Sequence, residues 1–165
     1  TPNPVRISHM NITLDYDSRP DTEAHIARVN QLMNQSAANL IQRGKVHDAS
    51  KLVEPEKSGY DKLSSKLRDM TYGSPEYRES LRELKPTIDR HYASNDHHPE
   101  FYGDKGVEGM SLLSLMEMLN DWKAATERMA GGGDIRKSLE VNTERFKLTP
   151  QLKAILTNTI TEMGW

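Results

Sequence analysis

Apolar residues recur at three- and four-residue steps along most of the chain, which is the period of an α-helix. The first such stretch covers residues 20–43, and Gly44 follows it as a natural helix stop. We expect its apolar stripe to be buried; the stripe consists of Ile26, Val29, Met33, Ala37 and Leu40. No stretch alternates between apolar and polar residues as a half-buried strand does. The pattern therefore predicts an all-α fold.

The same period and the capping residues predict the remaining helices. Ser74 and Thr149 each stand before a proline, and Asp134 follows the three glycines 131–133, so all three residues are candidate N-caps. Pro86 predicts a kink in the helix that starts after Ser74. The predicted helices are 47–52, 60–70, 75–92, 110–129, 134–146 and 150–163, with a turn at 72–75 and a loop over 102–109. We therefore expect six or seven helices in one compact bundle.

The domain organisation follows from length and from the chain ends. A chain of 165 residues without an internal linker predicts one compact domain. We interpret residues 1–9 as a cloning remnant, because His9-Met10 is the dipeptide that a common cloning junction leaves, and assign the domain to residues 10–165. The longest apolar stretch, 110–119, is about half of the roughly twenty residues that span a membrane. With no basic-then-apolar leader in this sequence, we expect a cytoplasmic protein.

Charge and cysteine content narrow the function. The chain has 22 basic and 24 acidic residues and a formal net charge of −2, so its charge does not favour nucleic-acid or membrane partners. It has no cysteine, which excludes disulfides, thiolate catalysis and cysteine zinc sites. A metal held by this chain must therefore use imidazole and carboxylate ligands. Apart from His9, the histidines are His25, His47, His91, His97 and His98.

The adjacent pair His47-Asp48 is the sharpest candidate for chemistry. Imidazole nitrogen and carboxylate oxygen suit a divalent transition metal, and one carboxylate can bridge two ions. Alone, such a pair is ordinarily a surface turn or a helix cap. Asp121 lies inside the most apolar predicted helix, where a buried carboxylate needs a partner. That partner is a metal or, if Asp121 faces solvent, Lys123 or a nearby arginine.

The order of one histidine, a His-Asp pair, a further histidine, a His-His pair and a distal aspartate resembles the HD superfamily of metal-dependent phosphohydrolases. These are all-helical enzymes named for the dipeptide, and the resemblance covers about residues 21–128. It implies one or two divalent ions, for which Mn, Fe, Zn, Co and Mg are all compatible. The ligands it implies are His25, His47, Asp48 and Asp121 for one ion, and Asp48 with candidates His91, His97 and His98 for a second.

Local motifs carry the resemblance further. Residues 47–51 (HDASK) are similar to the H-D-x-G-K motif of HD-type cyclic-dinucleotide phosphodiesterases, which implies that Lys51 faces substrate phosphate. Residues 97–100 (HHPE) resemble the paired histidines and following acid of those enzymes, but a G-Y-P segment is absent, so their substrate is not supported. Stretches 91–100 and 117–123 look like a little-characterised bacterial and phage branch of the superfamily. Because consecutive helical residues diverge by about 100°, we expect only one of His97 and His98 to ligate.

Several charged residues have more than one interpretation. Glu117 precedes Asp121 by four residues and shares its helix face, so it orients a ligand, acts as an acid or base, or is an ordinary exposed glutamate. Arg90, Lys123 and Arg128 are candidates for binding substrate phosphate, with surface roles as the alternative.

The sequence therefore favours a metal-dependent phosphohydrolase acting on a small phosphorylated metabolite, with a nucleotide as the leading class. Asp48, Lys51 and Glu117 are its candidate catalytic residues. Whether a monoester, a diester or a triphosphate is cleaved stays open. Two alternatives also stay open: an HD-type di-iron oxygenase, and a non-catalytic nucleotide- or metal-binding protein. A homo-oligomer is compatible with the sequence.

Overall fold

A computed structural model describes residues 16–67, 75–128 and 133–165. Throughout those ranges the regular elements are helical, which confirms the predicted all-α class and the number of helices. None of the described helices has the length and apolar character needed to cross a membrane. The α-helices are α1 (Arg19–Val46), α2 (Glu56–Leu67), α3 (Pro75–Glu83), α4 (Lys85–Ser94), α5 (Leu112–Glu127), α6 (Ile135–Phe146) and α7 (Pro150–Glu162), and 3₁₀ segments cover Ala49–Leu52 and Pro99–Gly109.

Side-chain caps begin α6 and α7 where the sequence predicts them. Asp134 accepts a hydrogen bond from the backbone N–H of Arg136 at 2.8 Å, and Thr149 accepts one from that of Leu152 at 3.3 Å. Both bonds satisfy helix N–H groups that have no partner within the helix. The predicted cap at Ser74 and the glycine turn at 131–132 lie outside the described residues.

The predicted helix over 75–92 is two helices. α3 ends at Glu83 and α4 begins at Lys85, with the buried Leu84 between them. Pro86 lies in the first turn of α4, where its missing N–H removes no helical hydrogen bond. The proline therefore produces a break between two helices and not a kink within one.

The contacts divide the chain into two units, residues 1–38 and 39–165. In the first unit the predicted buried stripe of α1 is wrong, because Ile26, Val29 and Met33 are 61%, 39% and 67% exposed. The helical period is a local property of the sequence, whereas burial requires a second surface, and residues 19–38 belong to a unit of their own. The prediction of one domain over 10–165 stays a prediction.

The core of the second unit lies among α5, α6, α7 and the segments beside them. Its buried apolar side chains are Leu119, Ile135, Leu139, Leu148, Leu156 and Ile160. Trp122 packs against this core and stacks on Phe146, with ring centroids 6.1 Å apart. Side chains two positions apart on an α-helix point about 160° away from each other. Leu119 lies two positions from both Glu117 and Asp121, so these two carboxylates lie on the opposite side of α5 from it. The core thus fixes the helix that presents both carboxylates.

Candidate metal centre

Six side chains converge in the second unit from four neighbouring segments. The segment after α1 supplies two of them, α4 supplies one, the turn after α4 supplies two, and α5 supplies the last. They are His47, Asp48, His91, His97, His98 and Asp121. Two of the histidines, His91 and His97, are almost completely buried, at 1% and 2% exposure.

The backbone at Asp48 explains how two consecutive residues reach one centre. Its φ and ψ are 56° and 15°, which is the left-handed region that aspartate tolerates better than most residues. In a continuous helix the side chains of residues 47 and 48 would diverge by about 100°. Here His47 Nε2 and Asp48 Oδ2 lie 3.5 Å apart. The bend therefore turns the His-Asp pair into two donors for the same site.

A first group of donors consists of Asp48, His91, His97 and His98, whose donor atoms lie within 4.8 Å of one another. Asp48 Oδ1 is 3.1 Å from His91 Nε2 and 3.4 Å from His97 Nε2. His98 Nε2 is 3.0 Å from His91 Nε2. Both His97 and His98 belong to this group, because they lie in a turn and not on a helix; the expectation that only one of them ligates stays a prediction.

A second group consists of His47, His97 and Asp121, again within 4.8 Å of one another. His47 Nε2 is 3.5 Å from Asp121 Oδ1. Lys123 instead pairs with Glu127 at 2.8 Å, so it is not the partner of Asp121. The two groups share His97, and Asp48 Oδ2, which pairs with Lys51 at 2.6 Å, lies 3.5 Å from His47 of the second group.

The spacing of these donors fits a metal ion. Donors about 2.1 Å from one ion, at angles of about 90° to 110°, lie about 3.0 to 3.4 Å apart. The contacts given above span 3.0 to 3.5 Å, and the remaining pairs of each group lie within 4.8 Å. Asp48 Oδ1 and His97 Nε2 are buried and have no hydrogen-bond partner within the described part of the chain, although they are close neighbours. Buried polar atoms are costly without a partner. A cation bound between these two atoms would supply the missing partner for both.

Glu117 contacts two of the histidines. Its Oε1 lies 2.9 Å from His47 Nδ1 and 3.2 Å from His97 Nδ1. With a proton on each Nδ1, both rings donate to this oxygen and present Nε2 to the centre. Arg43 holds the other oxygen of Glu117 at 2.6 Å and pairs with Asp96 at 2.5 Å. These contacts place Glu117 where it could orient both rings, and its predicted role stays a prediction.

Glu56 supports a third histidine in the same way. It is 3% exposed, lies 2.9 Å from His91 Nδ1, and accepts a hydrogen bond from Ser50 Oγ at 2.8 Å. The sequence pattern does not single out Glu56, because an acid in a first helical turn is ordinarily a partner of the helix dipole. Arg43 and Asp96 also carry no local signal, since their role depends on contacts between distant segments.

The charges of the centre favour a cation. A hydrogen bond to Asp121 raises the pKa of His47 to about 9, and Glu117 and Asp48 add to the effect. Burial lowers the pKa of His98 to about 3, so this ring stays neutral. Burial alone would raise the pKa of Asp48, but its basic neighbours outweigh burial and hold that pKa well below its usual range.

A comparison with known protein families assigns the chain to one of them. A family model described as "Family of unknown function (DUF5662)" matches residues 14–162. The chain belongs to the DUF5662 family. No curated protein matches it, and no solved structure does. All six donors of the DUF5662 protein lie within the matched residues.

The remaining predicted residues of this DUF5662 protein have different surroundings. Lys51 Nζ lies 2.6 Å from Asp48 Oδ2 and 4.9 Å from the centre of the Tyr60 ring. Arg90 and Arg128 are exposed. His25 is an exposed residue of the first unit. The predicted roles of His25, Arg90, Lys123 and Arg128 stay predictions.

Proposed function

We propose that this DUF5662 protein is an HD-type, metal-dependent phosphohydrolase acting on a small phosphorylated metabolite, with a nucleotide as the favoured class. The observation that carries the proposal is the position of Asp48 between two groups of imidazoles. Its Oδ1 is 3.1 Å from His91 Nε2, and its Oδ2 is 3.5 Å from His47 Nε2. A carboxylate shared between two such groups is typical of centres that hold two ions for phosphoryl transfer.

The donor set supports one or two divalent ions. One would be held by His47, Asp48 and Asp121, and the other by Asp48, His91, His97 and His98. Nitrogen and oxygen donors without thiolate are compatible with Mn, Fe, Zn, Co or Mg. When bound, such ions supply Lewis acidity and lower the pKa of a coordinated water towards neutrality.

Lys51 is the proposed phosphate-binding residue. Its ammonium lies against Asp48 Oδ2 at 2.6 Å, while its side chain keeps 32% of its surface exposed. An ammonium has three N–H donors, so the contact with one carboxylate oxygen leaves donors for a phosphoryl oxygen. A fixed positive charge beside the reacting phosphoryl group stabilises the charge of the transition state.

Glu117 is proposed to position the histidines and not to transfer a proton to substrate. Both of its oxygens are engaged, one with His47 and His97 and the other with Arg43. Its side chain is only 11% exposed. A general acid or base needs access to the substrate proton, and these contacts compete with that access.

Metal analysis followed by a substrate panel tests the proposal. The protein is purified without added metals, its metal content is measured, and hydrolysis products are followed for nucleotides and simple phosphate esters. We expect a stoichiometric divalent metal and metal-dependent hydrolysis that is lost in Asp48→Asn. The matched control is Asp61→Asn, which changes a surface aspartate paired with Lys57 at 2.5 Å.

Each alternative has its own outcome. Stoichiometric iron with oxygen consumption and no hydrolysis would support the di-iron oxygenase. Nucleotide or metal binding without turnover would support the non-catalytic protein. Full metal content in both His47→Ala and Asp48→Ala would show that the ligands are misassigned.

A further inference from the structure

An apolar pocket adjoins the candidate metal centre. It has a volume of about 500 Å³ and lies between the end of α1 and the middle of α5. Its apolar lining consists of Leu40, Ile41, Met116 and Ala124. Pockets of about 300 to 1,000 Å³ with apolar walls and a few polar groups are typical of small-molecule sites.

The pocket and the metal centre share residues. His47, Glu117 and Asp121 line the pocket as well as belonging to the centre or its supporting contacts. A second cavity of about 340 Å³ is lined by Asp48 and His97 of the centre as well as by His47 and Glu117, and the rest of its lining is mainly polar. A molecule anchored at the centre by its phosphoryl group therefore has an apolar space directly beside the anchor.

We propose that this pocket binds a planar, largely apolar ring in the organic part of the substrate. The inference rests on the proposed function, because the phosphoryl group is taken to sit at the metal centre. A hydroxyl-rich sugar placed against Leu40 and Met116 would lose hydration without gaining hydrogen bonds. A ring loses little by leaving water and gains contact with these side chains. Asn120 also lines the pocket; its Nδ2 donates to the backbone oxygen of Met116 at 2.7 Å, which leaves Oδ1 to accept from one polar group of the ring.

Gly44 gives the pocket a precise test. A Cβ atom built on this residue meets nothing within 4 Å, so a side chain there enters open space. The residue lies in the last turns of α1 and lines the pocket. Leucine is a better helix former than glycine, so Gly44→Leu fills the pocket without disfavouring the helix. Gln42→Leu is the matched control, because Gln42 is exposed on the same helix and is not part of the lining.

The experiment measures affinity for three probes by calorimetry and ligand-observed NMR on the metal-loaded full chain. Phenylphosphonate carries ring and phosphoryl group, methylphosphonate carries the phosphoryl group alone, and benzyl alcohol carries the ring alone. We expect phenylphosphonate to bind at least about tenfold more tightly than methylphosphonate, a difference of about 1.4 kcal/mol. In Gly44→Leu this ratio should fall below about threefold and the benzyl alcohol signal should disappear, while Gln42→Leu keeps both.

The outcomes separate the two proposals. Equal affinity for the two phosphonates, or a preference for phenylphosphonate that survives Gly44→Leu, would overturn the ring-binding pocket while leaving the phosphohydrolase intact. Failure of methylphosphonate to bind would count against the phosphoryl site, and benzyl alcohol would then still report on the pocket. If Gly44→Leu changes only the oligomeric state, and no probe responds, the pocket is a protein contact and the inference is wrong.

Discussion

Replacing Glu117 by glutamine removes the negative charge that contacts both His47 and His97. In the structure Oε1 faces His47 Nδ1 at 2.9 Å and His97 Nδ1 at 3.2 Å, and Oε2 faces Arg43 Nε at 2.6 Å. Glutamine has the same shape but only one accepting atom. If the glutamine oxygen accepts the hydrogen bonds of the two imidazole N–H groups, the glutamine NH₂ group lies against the N–H of Arg43. Two hydrogen-bond donors then face each other without an acceptor.

The magnitude follows from these contacts. Loss of a group that orients one metal-ligating histidine typically lowers metal affinity by about 10- to 100-fold. Since Glu117 orients two, we expect a loss near the upper end, about 100-fold or about 2.7 kcal/mol. Glu117 is largely buried, so the metal-free protein should also lose about 1 to 3 kcal/mol of stability from the unpaired Arg43 donor.

Competition with a chelator measures this effect for Zn²⁺ and Mn²⁺, and denaturant titration measures the stability of the metal-free protein. The matched control is Glu127→Gln. Glu127 is exposed on the same helix, and this change removes its ion pair with Lys123, which is 2.8 Å long. We expect the metal affinity of Glu127→Gln to lie within about twofold of that of the wild-type protein. Wild-type metal affinity in Glu117→Gln would refute the assignment of His47 and His97 as ligands oriented by this carboxylate.

Three further changes test other parts of the structure. Glu56→Gln weakens the support of His91 alone, so metal affinity should fall by about tenfold in the same competition assay, and a larger loss than in Glu117→Gln would contradict the ranking. Removal of metal with a chelator should lower the melting temperature, because an ion present at about 1,000 times its Kd stabilises the folded state by about 4 kcal/mol. An unchanged melting curve would argue against a metal site that forms on folding. Leu119→Ala opens a cavity in the core and should cost about 2 to 5 kcal/mol in denaturant unfolding, whereas Leu112→Ala, at a site 81% exposed, should cost less than about 0.5 kcal/mol; equal costs would contradict the assigned core.

The helices were predictable because their signals are local. Asp134 and Thr149 cap helices through hydrogen bonds to residues two and three positions later. The buried stripe of α1 was not predictable in this way, since a period cannot supply a surface to pack against. The break at Leu84 lies between these cases: the proline was a visible signal, but whether it bends or divides a helix depends on the packing around it.

The same distinction holds at the candidate centre. His47, Asp48 and Asp121 stood out because their residue types suit metals and their order resembles a known superfamily. Glu56 and Arg43 did not, because glutamate and arginine are common on helix surfaces, and only tertiary structure brings them to His91 and Glu117. A sequence pattern identifies donors more readily than the residues that hold donors in place.

The left-handed backbone at Asp48 limits which amino acids that position accepts. Glycine, asparagine and aspartate adopt a φ of 56° with the least strain, and of these three aspartate alone carries an ionised carboxylate. The backbone conformation at this position and the proposed role as a metal ligand therefore both favour aspartate. Asparagine suits the backbone conformation but not the role as a ligand, which is why Asp48→Asn removes the negative charge while keeping the bend, whereas alanine disturbs both.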